Sequence, residues 1–520
     1  MTDEFKRKGE SMTAQFCIIF AIIIYLMMMI FVGVSYSKKN ASSGDFYLGG
    51  RKLGPIVTAM SAEASDMSNW LLMGLPGVAY LSGVSEAGWT AIGLALGTYL
   101  NWLIVSKRIR RYSSNLEAFT IPDFFSKRYG DTSNILTCVS AIIIVIFFIP
   151  YTASGFAACG KLFHTLFGVN YLLAMILSAI VIVIYCTMGG FLAVSTTDLI
   201  QSITMTIALV IVVFFGASIS GGFDSVIANA KELPGYLSLV KSYDPTSGTS
   251  SPYGFITIIS TAAWGLGYFG MPHILLRFMA IEDENKLKIS RRIASIWAAV
   301  SMVIAIFIGI IGYSASKAGS IPTLEGSSQS ETVIVQIANV LSTHGIAAAL
   351  VAGVILAGIL AATMSTSDSQ LLAAASSISQ NLLQDFFKIK LSEKASIRIA
   401  RITVIVISII SVFLAQDPNN SVFRIVSFAW AGFGAAFGPV VLLALFWKRS
   451  NKNGALAGMI TGGVMIFVWK YAIAKLGGVF AIYELLPAFI LALVVNIVVS
   501  LATSAPSKEI TDAFDKVAAK

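Results

Sequence analysis

The feature that most constrains this chain is a succession of apolar runs, near 12–35, 55–80, 86–106, 135–163, 171–188, 191–218, 254–275, 293–314, 346–377, 399–415, 422–447, 454–473 and 479–502. Crossing a hydrocarbon core about 30 Å thick takes roughly 20 apolar residues of helix, and these runs are about that long. They do not alternate, which excludes an outer-membrane barrel. Hydrophobic residues make up 56% of the 520 and charged ones 12%, so little remains for a soluble domain. The expected fold class is all-α integral membrane, with thirteen transmembrane helices.

The formal charge of +9 is explained by where the charges sit. With the N-terminus outside and the C-terminus in the cytoplasm, most of the 36 Lys and Arg fall in cytoplasmic loops: Lys38, Lys39, Arg51 and Lys52, then 107–111, 277–292, 388–401 and 448–452. The positive-inside rule favours that orientation in a plasma or bacterial inner membrane, although Lys6, Arg7 and Lys8 then lie outside. The first apolar run has no small-residue cleavage motif and is too long for a signal core, so it reads as a span. The cysteines Cys17, Cys138, Cys159 and Cys186 and the histidines His164, His273 and His344 show no metal or redox spacing. The expected organisation is an extracytoplasmic N-terminus and first span (1–53), a first repeat (54–218), an outer loop (219–253), a second repeat (254–447), two further spans (448–502) and a cytoplasmic tail (503–520).

Two spans are interrupted in matching places. The second contains SAEASDMSNW, Ser61 to Trp70, which puts Glu63 and Asp66 at membrane depth, followed by Gly74, Pro76 and Gly77. Carboxylates there cost at least about 2.5–3.5 kcal/mol each and face a cavity, an ion or a partner. Glu63 and Asp66 are three apart, on one helical face. Five spans later, WGLGYFGMPH, Trp264 to His273, places three glycines ahead of Pro272. Breaks five spans apart are what an inverted 5+5 repeat produces, with a substrate and a coupling cation bound between broken helices. The alternative for the seventh span is that its glycines permit close packing.

The ninth span carries AATMSTSDSQ, Ala361 to Gln370, where Ser365, Thr366 and Ser369 add hydroxyl oxygens and Asp368 a negative charge. Hard cations take oxygen ligands, whereas a lone membrane Ser or Thr commonly bonds back to its own helix. Asp198, near the start of the sixth span, is either a fourth functional carboxylate or a helix cap.

At these residues the sequence resembles the sodium/solute symporter family, most closely its sodium/proline symporters. The similarity runs through YLGGRKLGP (Tyr47 to Pro55), SDMSNWLLMGLPG (Ser65 to Gly77), GGFLAVS (Gly189 to Ser195), WGLGYFG with the adjacent PHI, MSTS (Met364 to Ser367), AWAGFGAAFGPVVL (Ala429 to Leu442) and NGALAGM (Asn453 to Met459). The resemblance implies a leucine-transporter-like core with broken second and seventh helices, working by alternating access. It implies a sodium site made by carbonyls of Ala64, Met67 and Ala362 and hydroxyls of Ser365 and Thr366. It also implies substrate contacts from Asp66, Ser68, Trp70, Tyr151, Trp264, Tyr268 and Pro272, with Asn69 and Met271 at cavity positions.

This chain departs from the proline pattern at Glu63, Asn69, Met271, Asp368 and Ser369. The added carboxylates Glu63 and Asp368 are expected to flank the cation site, where two nearby carboxylates in low dielectric without a counter-charge bind an extra cation or share a proton. Asp198 matches a position that in some relatives helps bind a second sodium with hydroxyls near 368 and 369, which makes Asp198, Asp368 and Ser369 a possible second cation or proton site. The first expectation is sodium-coupled uptake of a small, proline-like amino acid, with sodium as coupling ion and no organic cofactor. The alternative is a cationic amino acid or polyamine, recognised or coupled through Glu63 and Asp368. A cation channel would need a continuous polar path, whereas the polarity here is concentrated at two breaks and one hydroxyl cluster. No nucleophile or acid/base constellation suggests an enzyme.

Overall fold

Helices fill most of the chain, and polar caps mark where many of them start. A computed structural model describes residues 2–37, 47–188 and 190–518. Lys38 and Lys39 of the first expected cytoplasmic loop, and Gly189 of GGFLAVS, lie outside the described residues. The helices used below are α1 (Thr2–Ser37), α2 (Pro55–Asp66), α3 (Leu75–Ser82), α4 (Val84–Leu100), α5 (Ser106–Asn115), α6 (Ile121–Tyr129), α7 (Ile135–Phe167), α8 (Tyr171–Met188), α9 (Phe191–Ile219), α10 (Phe255–Ala262), α11 (Pro272–Ala280), α12 (Leu287–Lys317), α13 (Val333–Ser342), α14 (Ile346–Ser376), α15 (Glu393–Leu414), α16 (Val422–Phe446), α17 (Lys452–Val468), α18 (Leu485–Ala502) and α19 (Lys508–Ala518). Thr120, Ser392, Ser421 and Asn451 each accept a backbone N–H in the first turn of α6, α15, α16 and α17, satisfying donors that a helix start leaves free.

Among the described residues, ten helical segments are long and apolar enough to cross a membrane. They coincide with ten of the expected spans. At the other three the structure has shorter apolar helices, Trp70–Ser82, Tyr171–Thr187 and Phe255–Gly270. The first and last of these belong to the two interrupted spans. Large apolar side chains such as Ile296, Val303 and Phe413 face outward, a surface that suits lipid and not water.

Small residues bring the inner helices together. A Cβ on Gly353 of α14 would lie 2.6 Å from the Ala21 Cβ of α1, and one on Gly358 would lie 2.6 Å from that of Ala208 on α9. The centre of the bundle therefore has α14 flanked by α1 and α9, with α2 packed against α9, α12 and α14. Outside this bundle lies a two-stranded antiparallel hairpin, β1 (Lys241–Asp244) and β2 (Thr249–Pro252), while the short, largely buried α13 packs on α14. The helix α19 packs on α5.

The second span breaks at Met67 and Ser68, ahead of the Gly74, Pro76, Gly77 sequence and not at it. Trp70–Gly74 is a π-helical turn that leads into α3, where Pro76 sits in the first turn. Gly74 and Gly77 instead permit close contacts: a Cβ on Gly74 would be 3.0 Å from the Phe423 Cβ, and one on Gly77 2.9 Å from the Glu331 nitrogen. In the seventh span, Ala263–Gly270 is a 3₁₀ helix ending at Met271, with Pro272 opening α11. The span is interrupted here, and its glycines also sit in close contacts. A Cβ on Gly265 would lie 2.1 Å from the Gly93 carbonyl oxygen of α4, and one on Gly267 1.9 Å from the Trp430 Nε1.

Candidate functional site

The segment Ser61–Trp70 is buried throughout, so each polar group in it needs a partner within the protein. At the break the Ser68 amide donates to the Asp66 carbonyl at 2.7 Å, and Met67 has left the helix (ψ 68°). Ring donors take up the freed carbonyl: Trp70 Nε1 donates to Asp66 O at 2.9 Å, and Tyr151 Oη approaches it at 3.4 Å. Tyr268 donates its hydroxyl to Asp66 Oδ2, while Oδ1 is buried without a partner. Asp66 thus joins the two broken spans. The adjacent Asn69 donates to the Ser154 carbonyl of α7 at 2.7 Å.

One turn earlier, the Ser365 hydroxyl of α14 donates to the Ala64 carbonyl at 2.7 Å and lies 3.2 Å from the Ala362 carbonyl. Thr366 Oγ1, next along α14, is buried with no partner. The Ser365 hydroxyl therefore contacts two other expected sodium-ligand atoms, a fourth is an unsatisfied hydroxyl, and Met67 lies at the adjoining break. The single hydroxyl hydrogen of Ser365 cannot satisfy two carbonyls fully. A cluster of oxygens short of donors suits a small hard cation.

Glu63 is placed differently from the expectation. Its Oε1 accepts from Thr98 Oγ1 and Trp102 Nε1, both at 3.0 Å, on the α4 side of α2, away from the hydroxyls of α14. It does not flank the cluster around Ser365.

Asp198, Asp368 and Ser369 do come together, around a residue that the sequence placed wrongly. Arg277 was expected in a cytoplasmic loop, yet it lies on α11 with 1% of its surface exposed. Its Nη2 donates to Asp198 Oδ2 at 3.2 Å and to Ser369 Oγ at 2.6 Å, its Nε to Ser61 Oγ at 3.0 Å, and its Nη1 to the His273 carbonyl at 2.9 Å. Ser61 completes the knot by donating to Asp198 Oδ2 at 2.5 Å. Asp198 is seven residues into α9 and holds this ion pair, so it is not a helix cap. Asp368 joins through Ser369, whose hydroxyl lies 3.3 Å from Asp368 Oδ1 and accepts from Arg277, and Asp198 Oδ1 and Asp368 Oδ2 are buried without partners. The cluster holds two carboxylates to one guanidinium.

Above the break is an aromatic cage. The Trp264 ring lies 6.1 Å from Trp70, 5.2 Å from Phe423, 6.2 Å from Trp430 and 5.4 Å from Tyr483. Tyr268 meets Trp430 edge-on at 5.1 Å, and Trp430 Nε1 donates to the Trp264 carbonyl at 2.7 Å. Tyr151, Trp70, Trp264, Tyr268, Met271 and Pro272 are all buried, so the cage is closed to solvent. Phe423 is held by a second buried ion pair: Glu331 accepts from the amides of Val422 and Phe423 and from Ser421 Oγ, and Lys161 of α7 donates to it at 2.7 Å.

A profile of the Sodium:solute symporter family matches residues 46–462. The chain belongs to the sodium:solute symporter family. It is 43% identical over 505 residues to a sodium/proline symporter of Haemophilus influenzae, covering 96% of this chain and 97% of that one. It is 41% identical over 493 residues to the osmoregulated proline transporter OpuE of Bacillus subtilis, covering 94% and 96%. Among solved structures, a substrate-bound, outward-open Na+-coupled sialic acid symporter matches with a TM-score of 0.76 at 17% identity, over 95% of this chain and 99% of that one. Mhp1, a nucleobase-cation-symport-1 family transporter, matches with a TM-score of 0.53 at 14% identity, over 90% and 98%. At these identities the structural matches establish the shared transporter fold.

For this family member, sequence reasoning missed Arg277, Glu331, Lys161, Phe423, Trp430 and Tyr483. Arg277 had a signal: it follows Pro272 by five residues inside PHILLRFMA, an apolar helical stretch that an exposed loop would not need. Glu331 had none, because it stands in a polar segment whose partners are remote in sequence.

Proposed function

We propose that this chain is a sodium-coupled symporter of proline or a similarly compact amino acid, driving uptake into the cell by alternating access. The carrying observation is the contact of Ser365 with the Ala64 and Ala362 carbonyls beside the unsatisfied Thr366 hydroxyl. In this reading sodium displaces the Ser365 hydrogen bond and is held by carbonyls of Ala64, Met67 and Ala362 and by hydroxyls of Ser365 and Thr366. Bound there, it ties the broken α2 to the continuous α14, one from each repeat. Substrate sits between Asp66, Ser68, Asn69, Trp70, Tyr151, Trp264, Tyr268 and Met271, where flat rings suit a small apolar body and Asp66 an ammonium group. Glu63 contributes by fixing the position of α2.

The proposed architecture has thirteen spans, with residues 54–218 and 254–447 as inverted repeats, the N-terminus outside and the C-terminus cytoplasmic. The clustering of basic residues in alternate loops supports that orientation. Arg277 favours the proline-like reading over a cationic substrate, since a positive charge already stands between Asp198 and Asp368. The remaining negative charge is left for a proton or a second cation. The relatives' names support proline as the first substrate to try. The experiment is competition of sodium-driven labelled proline uptake by lysine, ornithine, putrescine and neutral amino acids. Absence of sodium-driven proline uptake, or stronger competition by lysine or putrescine than by unlabelled proline, would overturn the reading.

A further inference from the structure

We propose that Tyr483 is an outer lid of the substrate cage, contributed by a segment beyond the two repeats; this rests on reading the Trp264 cage as the substrate site. Its ring stacks on Trp264 at 5.4 Å with 25° between planes. Trp264 is 4% exposed, whereas Tyr483 keeps partial exposure, so Tyr483 is the outermost ring of the stack.

Its attachments are few, and each reaches a different helix. The Tyr483 amide donates to Ser260 Oγ of α10 at 2.7 Å, and its hydroxyl donates to the Ser427 carbonyl of α16 at 2.7 Å. α10 is the outer half of the broken seventh span and α16 carries Phe423, the neighbouring ring on Trp264. Any separation of α10 from α16 breaks one of these two bonds and pulls the ring off Trp264.

The linker that carries it has little side-chain packing at its turn. Between α17 and α18 the chain passes through two short 3₁₀ turns joined at Gly477 and Gly478, with φ of 73° and 60°. Only glycine adopts such angles readily, and a Cβ at either position would meet nothing within 4 Å. An unpacked glycine pair lies six and five residues before a ring clipped at two points. The linker's other side-chain ties are Trp469 Nε1 donating to the Phe480 carbonyl at 3.2 Å and Lys470 meeting Glu484 at 3.3 Å.

The role differs from plain packing in its sidedness: the lid controls exchange with the outside and leaves inward release alone. An aromatic pair of this geometry corresponds to about a two- to tenfold effect on opening. The test uses purified protein in proteoliposomes with the variants Tyr483→Ala and Tyr483→Phe. In Tyr483→Ala, bound labelled proline dissociates to the outside two- to tenfold faster while release to the inside is unchanged; Tyr483→Phe, which keeps the stack, stays closer to the parent. A second measurement needs no substrate: Ser68→Cys in a background lacking the four native cysteines is labelled by a membrane-impermeant thiol reagent. Adding Tyr483→Ala speeds labelling from the outside but not from the inside. Unchanged outside labelling, or equal acceleration from both sides, overturns the lid. Absence of proline binding in the parent counts instead against the substrate reading, and the labelling result then decides the lid alone.

Discussion

Replacing Arg277 by methionine should destabilise the protein more than any other single change to the polar core. The guanidinium donates to Ser61, Asp198, Ser369 and the His273 carbonyl, and its removal leaves Asp198 facing Asp368 with no positive charge nearby. Breaking a buried pair by deleting one partner costs about 3–5 kcal/mol, a drop on the order of a hundredfold or more in the folded ratio. With 520 residues and about 2.1 cal/mol/K of unfolding entropy per residue, that corresponds to roughly 3–5 °C in Tm. Arg277→Lys should recover little, since one ammonium cannot reach Ser61, Asp198 and Ser369 with the spread of a guanidinium. The double variant Arg277→Met with Asp198→Asn should recover at least half of the loss, because it removes the charge that the first change stranded. The assay is thermal unfolding of detergent-solubilised protein followed by size-exclusion recovery. A single variant within a degree of the parent, or a double variant whose loss is the sum of the two singles, would refute the idea that Arg277 and Asp198 act as a buried pair.

The other predictions concern the cation cluster, the outer ion pair and the close contacts. Ser365→Ala and Thr366→Ala should each raise the sodium concentration for half-maximal uptake by about tenfold, roughly the worth of one hydrogen bond to a charged group; an unchanged sodium curve in both would count against that site. Glu331→Ala should impair transport more than Lys161→Met, because Glu331 also holds Ser421 and two amides at the start of α16, and comparing uptake at equal expression checks the order. Gly265→Ala should lower Tm or abolish expression, since its Cβ would lie 2.1 Å from the Gly93 carbonyl and overpacking costs about 1–3 kcal/mol or more. Glu63→Gln should leave the substrate profile unchanged, because the amide can still accept from Thr98 and Trp102.

The membrane class, the two breaks and most of the residues around them were legible in the sequence. Hydropathy and membrane-depth carboxylates act over a few neighbouring positions, which is the scale that a one-dimensional pattern records. Arg277 falls just past the apolar run 254–275 because a guanidinium interrupts a hydropathy pattern, and the groups that let it stay buried, Asp198 and Ser369, stand on other helices. The three-residue spacing of Glu63 and Asp66 fixes a helix face only roughly, and the partners that decide where Glu63 points are remote in sequence: Thr98 of α4 and Trp102 of the π-helical turn that follows it. The rings of Phe423 and Tyr483 close on Trp264 from more than 150 positions away, and nothing in their local sequence marks them.

The central claim, that a sodium gradient drives accumulation of a compact amino acid, is tested most directly with purified protein in proteoliposomes. One sodium ion moving down about 100 mV gains about 2.3 kcal/mol, and a tenfold concentration ratio adds about 1.4. Together these support a substrate gradient of a few hundredfold. With both gradients imposed, labelled proline should rise inside well above its outside concentration, and should fall back when the sodium gradient is collapsed. Entry that stops at equal concentrations on the two sides, whatever the sodium gradient, would contradict the account.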